Sequence, residues 1–173
     1  MIGLRGLILA LVIALAGCGV TAPNRGPGYA DLDGLSWRDV DRSISLSLGP
    51  TALRLIAAGI DDDPGARELI RSLDGVRVRV YQIDGEPVAV AEDLEDMTDR
   101  LRQAGWEPVM RVRQGGETAH MLMKLEQQRI AGFTVLASDG LEVVLINVMG
   151  EIGPELFSEA MAAVAENVPP VEG

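Results

Sequence analysis

Residues 107–149 read EPVMRVRQGGETAHMLMKLEQQRIAGFTVLASDGLEVVLINVM. Four strand-like segments fall in this stretch, at 107–113, 117–125, 130–137 and 141–149. Gln114-Gly115-Gly116 separates the first two and Ser138-Asp139-Gly140 the last two. Gly and Asp-Gly supply the positive φ that tight hairpin turns require, so the stretch predicts an antiparallel meander. The strand around Arg111 alternates in polarity and can keep one face in water. The last one does not alternate: Val143, Leu145 and Met149 fall on one face, and Val144, Ile146 and Val148 on the other. A strand apolar on both faces is normally covered on both. Something is therefore expected over its outer side: the segment around Leu35 and Trp37, one of the helices, or a second protein.

Upstream, Ile44, Leu46 and Leu48 alternate as a strand. Gly49-Pro50 opens a helix with Leu53, Ile56 and Ala57 on one face, ended by Gly59. Asp63 caps a second helix that has Pro64 at its first position and an apolar stripe of Ala66, Leu69, Ile70 and Leu73. Val76 to Tyr81 alternates as a half-buried strand. A turn at Asp84-Gly85-Glu86-Pro87 leads to a third helix over 89–104. Val90, Leu94, Met97, Leu101 and Ala104 form its apolar face, and Glu92, Glu95, Asp96 and Asp99 the face opposite. Gly153-Pro154 opens a last helix carrying Leu156, Phe157, Ala160, Met161 and Val164. The order β-α-α-β-α-β-β-β-β-α predicts a single α+β domain: a mixed sheet of about five to six strands with amphipathic helices packed on it. The early crossovers are expected to be right-handed and roughly parallel. With only two Trp, two Tyr and two Phe, the core has to be mainly aliphatic.

The N-terminus has a different character. Residues 1–20 read MIGLRGLILALVIALAGCGV, with Arg5 ahead of an unbroken apolar run from Leu7 to Ala16. A positive start, an apolar core and a small-residue exit are the pattern of a secretion signal. The run is too short for a transmembrane helix, which takes about 20 residues. Leu15-Ala16-Gly17-Cys18 resembles the lipobox of bacterial lipoproteins. That resemblance implies removal of residues 1–17 and a diacylglyceryl group on Cys18, which anchors the domain to a membrane through lipid. Gly19 is not the Asp that resembles an inner-membrane retention signal, so the expected location is the periplasmic face of the outer membrane in an organism with two membranes. Cys18 is the only Cys, which leaves no intramolecular disulfide. Residues 18–36, rich in Gly, Pro and polar groups, are expected to be a flexible tether. The domain proper is expected over 37–168, followed by a loose tail at 169–173.

Three runs carry a further resemblance: ISLSLGPTALRLIAAGIDDDPGARELIRSLDGVRVRVYQID at 44–84, GWEPVMRVRQGGE at 105–117 and VVLINVMGEIGPELF at 143–157. Together they are similar to the bacterial lipoprotein family called domain of unknown function 4252, over roughly residues 38 to 160 in the expected order. The resemblance implies a small α+β envelope lipoprotein. It implies no activity and transfers no catalytic or binding residue.

The chemistry-bearing residues are sparse. The net charge of −11 disfavours nucleic acid as a partner, and loss of the leader with Arg5 would deepen it by one. His120 is the only His, and with no second His and no spare Cys no metal site is expected; it reads as a surface or edge-strand residue. Asp61-Asp62-Asp63 lacks the spacing of a calcium loop and reads as a helix-capping loop. No Ser sits in a nucleophile elbow, and Gly115-Gly116 lacks the Lys and following helix of a phosphate loop. No cofactor is expected. One pattern stands out: Arg77 and Arg79 share a strand face, as do Arg111 and Arg113, and His120 and Lys124. If these faces coincide, the sheet presents a basic surface suited to an anionic partner, though a solvated face balanced by neighbouring acids is the simpler reading. The sequence thus predicts a lipid-anchored, non-catalytic binding or structural module that meets an envelope protein or a second copy of itself. The alternatives are an envelope enzyme working through carboxylates and a regulator of a membrane signalling protein.

Overall fold

The computed structural model describes residues 19–32, 40–83 and 87–153. Six strands form one open sheet: β1 (Val40–Leu48), β2 (Leu73–Ile83), β3 (Glu107–Gln114), β4 (Glu117–Glu126), β5 (Arg129–Ser138) and β6 (Glu142–Ile152). Three helices accompany them among the described residues: α1 (Pro50–Ala58), α2 (Pro64–Ser72) and α3 (Pro87–Gln103). The result is a single α+β domain, and its element order agrees with the sequence reading as far as β6. The leader, Cys18, the segment around Leu35 and Trp37, the turn at 84–86, the helix expected from Pro154 and the tail lie outside the described residues.

The strands lie in the order β1-β2-β6-β5-β4-β3, and every neighbouring pair is antiparallel. The sheet is therefore antiparallel rather than mixed. The reason is the number of helices between strands. Two helices separate β1 from β2, and an even number returns the chain to the end it left, so β2 runs back against β1. A single helix separates β2 from β3, and these two do point the same way. They do not pair, because α3 carries the chain to the far edge and leaves room for β6, β5 and β4 between them.

Local chemistry fixes the element ends. Asp63 accepts a hydrogen bond from the Ala66 amide at 2.9 Å and caps α2 behind Pro64. Leu73 opens β2 instead of completing α2. Gly105, at φ +83°, closes α3: the Trp106 amide donates to the Leu101 carbonyl at 3.0 Å and the Gly105 amide to Arg102 at 2.9 Å. This Schellman arrangement seats Trp106 beside Leu101 in the core. Asp139 accepts from the Glu142 and Leu141 amides, both at 2.8 Å, which pins the β5–β6 turn and holds its carboxyl below the usual range. The β4–β5 turn uses Gln127 and Gln128 at φ 49° and 66°, a left-handed pair without glycine.

Registered partners on neighbouring strands share a face, so the ladders sort the sheet into two sides. One side carries Tyr81, Val143, Leu145, Asn147, Thr134, Leu136, His120 and Leu122. Against it pack Val90, Leu94, Met97 and Leu101 of α3, all buried, with Trp106, Ala30 and Leu32. Leu94, Met97 and Leu101 are thus placed as the helix periodicity predicts; Ala104 is exposed. Burying one such Leu contributes about 1.5–3 kcal/mol.

Residues 19–32 overturn the expectation of a loose tether. They form a strap across the helix-covered face. Ala22, Ala30 and Leu32 are buried. The Asn147 side chain, fully buried in β6, accepts from the Ala30 amide at 3.1 Å and donates to the Gly28 carbonyl at 3.0 Å. Gly28 crosses so close to β5 that a Cβ there would sit 1.8 Å from the Ala131 carbonyl oxygen, and one on Gly132 would sit 2.6 Å from Gly28 Cα. Polar backbone held over a sheet needs partners, and Asn147 supplies them.

Candidate functional site

The six basic residues singled out from the sequence do lie on one face of the sheet, by register and alternation. It is the face covered by α3 and the strap, not an open one. Apolar side chains occupy its centre, and the basic residues flank them on β2 to one side and on β3 and β4 to the other. Arg77 donates to the Ala22 carbonyl at 3.2 Å and stacks its guanidinium 5.0 Å from the Tyr29 ring centroid. Arg79 donates to the Leu32 carbonyl at 3.4 Å. With Asn24, Tyr29, Ser45 and Ser47 these two arginines line a cleft of about 400 Å³. On the other flank, Glu95 reaches down from α3, and one carboxylate oxygen takes hydrogen bonds from Arg111 and, at 3.2 Å, from Arg113. Lys124 donates to the Ala104 carbonyl at the end of α3, a favourable place for a cation. The predicted basic surface is therefore two separate sets of structural contacts.

His120 departs from the surface position expected of it. It is 3% exposed, and its Nε2 lies 3.8 Å from the same Glu95 oxygen, beyond hydrogen-bond reach. Burial pushes its pKa below 6.5; Glu95 works against that, and Arg111 and Arg113 reinforce it. A neutral imidazole near a carboxylate could shuttle a proton if substrate reached it, yet His120 does not line the cleft at Arg77 and Arg79. Glu95 likewise leaves the solvated helix face assigned to it. Glu92, Asp96 and Asp99 stay exposed. Burial and the neighbouring Asp96 raise the pKa of Asp93.

The acidic loop behaves as a cap. Arg67 donates to the Ile60 carbonyl at 2.8 Å and lies 3.8 Å from Asp61. No group of metal-ligating side chains occurs among the described residues. A larger cleft, about 700 Å³, opens between the strap and the β4–β5 turn, with Arg25, Asp74, Glu126, Arg129 and Glu151 on its walls. Its two signs of charge are mixed, and Arg129 and Glu151 pair at 2.7 Å.

The other side of the sheet is apolar from edge to edge. It carries Ile44 and Leu46 on β1, Val76, Val78 and Val80 on β2, Val144, Ile146 and Val148 on β6, Phe133 and Val135 on β5, Met121 and Met123 on β4, and Met110 and Val112 on β3. None of these belongs to the buried core cluster. The central ones are half-buried, while Ile44, Leu46, Met110 and Val112 at the two edges are 40–56% exposed. At the hairpin end a shallow depression of about 320 Å³ is floored by Val112, Ala119, Ala137 and Val144. The sequence signal for this side was the double-sided apolarity of β6; its breadth follows from the register, which a single sequence does not print. Asn147 was missed, and its one signal is a polar residue inside the apolar run LINVM.

Among curated proteins, none matches this chain. The profile of a family described as a domain of unknown function (DUF4252) matches residues 38–159, from just ahead of β1 to past the end of β6, and the chain belongs to that family.

Proposed function

We propose that this protein is a lipid-anchored module of the bacterial cell envelope, held at the membrane through Cys18, that acts by binding and not by catalysis. The observation that carries the binding role is the apolar sheet face. A contiguous apolar area of this breadth is uncommon on a monomer and marks an association surface. Arg77, Arg79, Arg111, Arg113, Lys124 and Glu95 are engaged in holding α3 and the strap to the opposite face. The leader and its lipobox-like tetrad support the anchor, and no described helix is long and apolar enough to cross a membrane.

The test uses a photo-crosslinking residue at position 146, in the middle of the apolar face, in intact cells. A specific adduct that is lost when Val135→Asp is added supports the reading. A second copy of the chain is the first partner to look for. Ile146→Asp should abolish association without unfolding the domain. If Ile146→Asp unfolds a monomer instead, the face is interior and the binding role fails. Cys18→Ser tests the anchor: a processed Cys18→Ser protein that still sediments with membranes would sink it.

A further inference from the structure

We propose that the exposed side of α1, together with Val20, is the surface on which the domain rests against an anionic lipid bilayer. This rests on the reading of Cys18 as the lipidated residue. The strap begins as part of the fold one residue after that cysteine. The Gly19 carbonyl accepts from the Thr51 amide at 3.0 Å, and the Val20 carbonyl from the Gly49 amide at 2.7 Å. The contact is close: a Cβ on Gly49 would lie 2.3 Å from the carbonyl oxygens of both Gly19 and Thr21. Consecutive Cα atoms are about 3.8 Å apart. Acyl chains on Cys18 therefore enter the bilayer beside the first turn of α1, with no slack between lipid and domain.

The surface at that point suits the position. Leu53 and Ala57 are the buried residues of α1, and the stripe facing away from them is Thr51, Arg54, Leu55 and Ala58. Leu55 is 72% exposed, Ile56 44% and Val20 47%. Ile56, expected from periodicity to face inward, is turned out with them. The helix carries Arg54 and no acid in a chain of net charge −11. Apolar residues flanked by a cation fit the headgroup region, where an amphipathic helix lies in the plane of the interface, and each basic residue near an anionic surface adds attraction. The acidic loop Asp61-Asp62-Asp63 begins beyond Ile60, past the far end of α1, so the lipid-facing stripe ends with the helix and does not take in the carboxylates. The hairpin between β3 and β4 lies at the opposite end of the sheet and points away.

The experiment takes the full lipidated protein, reconstituted into vesicles of phosphatidylethanolamine and phosphatidylglycerol. Lipid on Cys18 leaves no free thiol, so an environment-sensitive fluorophore on Leu55→Cys reports one site, and the same label on Glu117→Cys reports the far end. The label at 55 should shift to the blue, be quenched by headgroup-depth spin-labelled lipid and be shielded from iodide, while the label at 117 stays open to iodide. Thr51→Cys, on the same stripe, gives a second reading if Leu55→Cys folds poorly. Equal iodide access at 51, 55 and 117 in vesicle-bound, lipidated protein overturns the proposed orientation and leaves the anchor intact. The mass of the N-terminal peptide separates the two ideas: an unmodified Cys18 removes the anchor, and the orientation with it.

Discussion

The two faces of this sheet are made from the same strands yet solve opposite problems. On the helix-covered face, apolar residues occupy the centre and Arg77, Arg79, Arg111 and Arg113 stand at the flanks, where carbonyls, Tyr29 and Glu95 receive them. On the other face the apolar residues run to both edges, and no such rim occurs among the described residues. Alternation alone would put the arginines toward water and the valines under the helix. The structure puts the arginines on the helix-covered face, Arg77 and Arg79 half-buried and Arg111 and Arg113 exposed at its rim, because arginine stems pack along apolar surface while their heads reach polar partners. Alternation marks two unlike faces; it does not say which one a helix will cover.

The sharpest way to break that comparison is to place the same charge on neighbouring residues of β6. Leu145 is fully buried under α3, while Ile146 points to the apolar face. Leu145→Asp buries a carboxylate with no partner, a cost of several kcal/mol, which is a large part of a typical stability of about 5–15 kcal/mol. It should leave the protein unfolded or grossly destabilised by circular dichroism. Ile146→Asp should retain a native spectrum. Equal damage from both would mean that the two faces are equally interior.

Truncations grade the same contrast. Leu101→Ala removes a core side chain at the Schellman end of α3 and should cost about 2–5 kcal/mol in denaturant unfolding. Val135→Ala, half-buried on the apolar face, should cost less than about 1 kcal/mol. A loss at Val135 matching that at Leu101 would show the apolar face to be packed like the core.

The strap gives the next effect. Asn147→Ala leaves the Ala30 amide and the Gly28 carbonyl without their side-chain partner, and each unsatisfied buried group costs about 1–3 kcal/mol. The strap can escape that cost by lifting into water. Amide exchange should therefore accelerate across residues 19–32 while β4, β5 and β6 remain protected. Gly28→Ala should produce the same pattern, since its Cβ would meet the Ala131 carbonyl oxygen. Uniform loss of protection would mean that the strap is inseparable from the domain.

These features differ in how far a sequence exposes them. The β3–β4 and β5–β6 hairpins were legible because Gly115, Gly116 and Gly140 supply the positive φ that their turns need. The turn between β4 and β5 carries no such signal, because Gln127 and Gln128 adopt left-handed geometry under the pull of strand pairing on either side. The apolar stripe of α3 was legible from its period. Strand direction was not, since it depends on how many helices intervene and where the last one delivers the chain. The strap was hidden by its composition: Gly and Pro read as a linker until Gly28 is seen to be the residue that fits over Gly132. The basic candidates were correctly placed on one face, but their partners, Glu95 and the strap carbonyls, are distant in sequence and leave no local pattern.

The smallest expected effect tests the helix-covered face by titration. His120 is buried there, and burial holds its pKa below the ordinary 6.5. Above that value the imidazole is neutral both folded and unfolded, and it adds no pH dependence. Below it the unfolded chain takes up a proton that the folded protein resists, so stability falls as pH falls from 6.5 toward the lowered value. One proton's difference sets a ceiling of about 1.4 kcal/mol per pH unit on the slope. Asp93 cannot mimic this: its raised pKa means that the folded state gains from protonation, so it acts in the opposite direction, as an acid, as pH falls. His120 is the only histidine in the chain. His120→Gln should therefore flatten the stability profile between about pH 6.5 and 5, read from denaturation midpoints at fixed ionic strength, whatever it does to absolute stability. A profile of unchanged slope would mean that His120 titrates as freely in the folded protein as in the unfolded chain, and that α3 does not seal this part of the sheet.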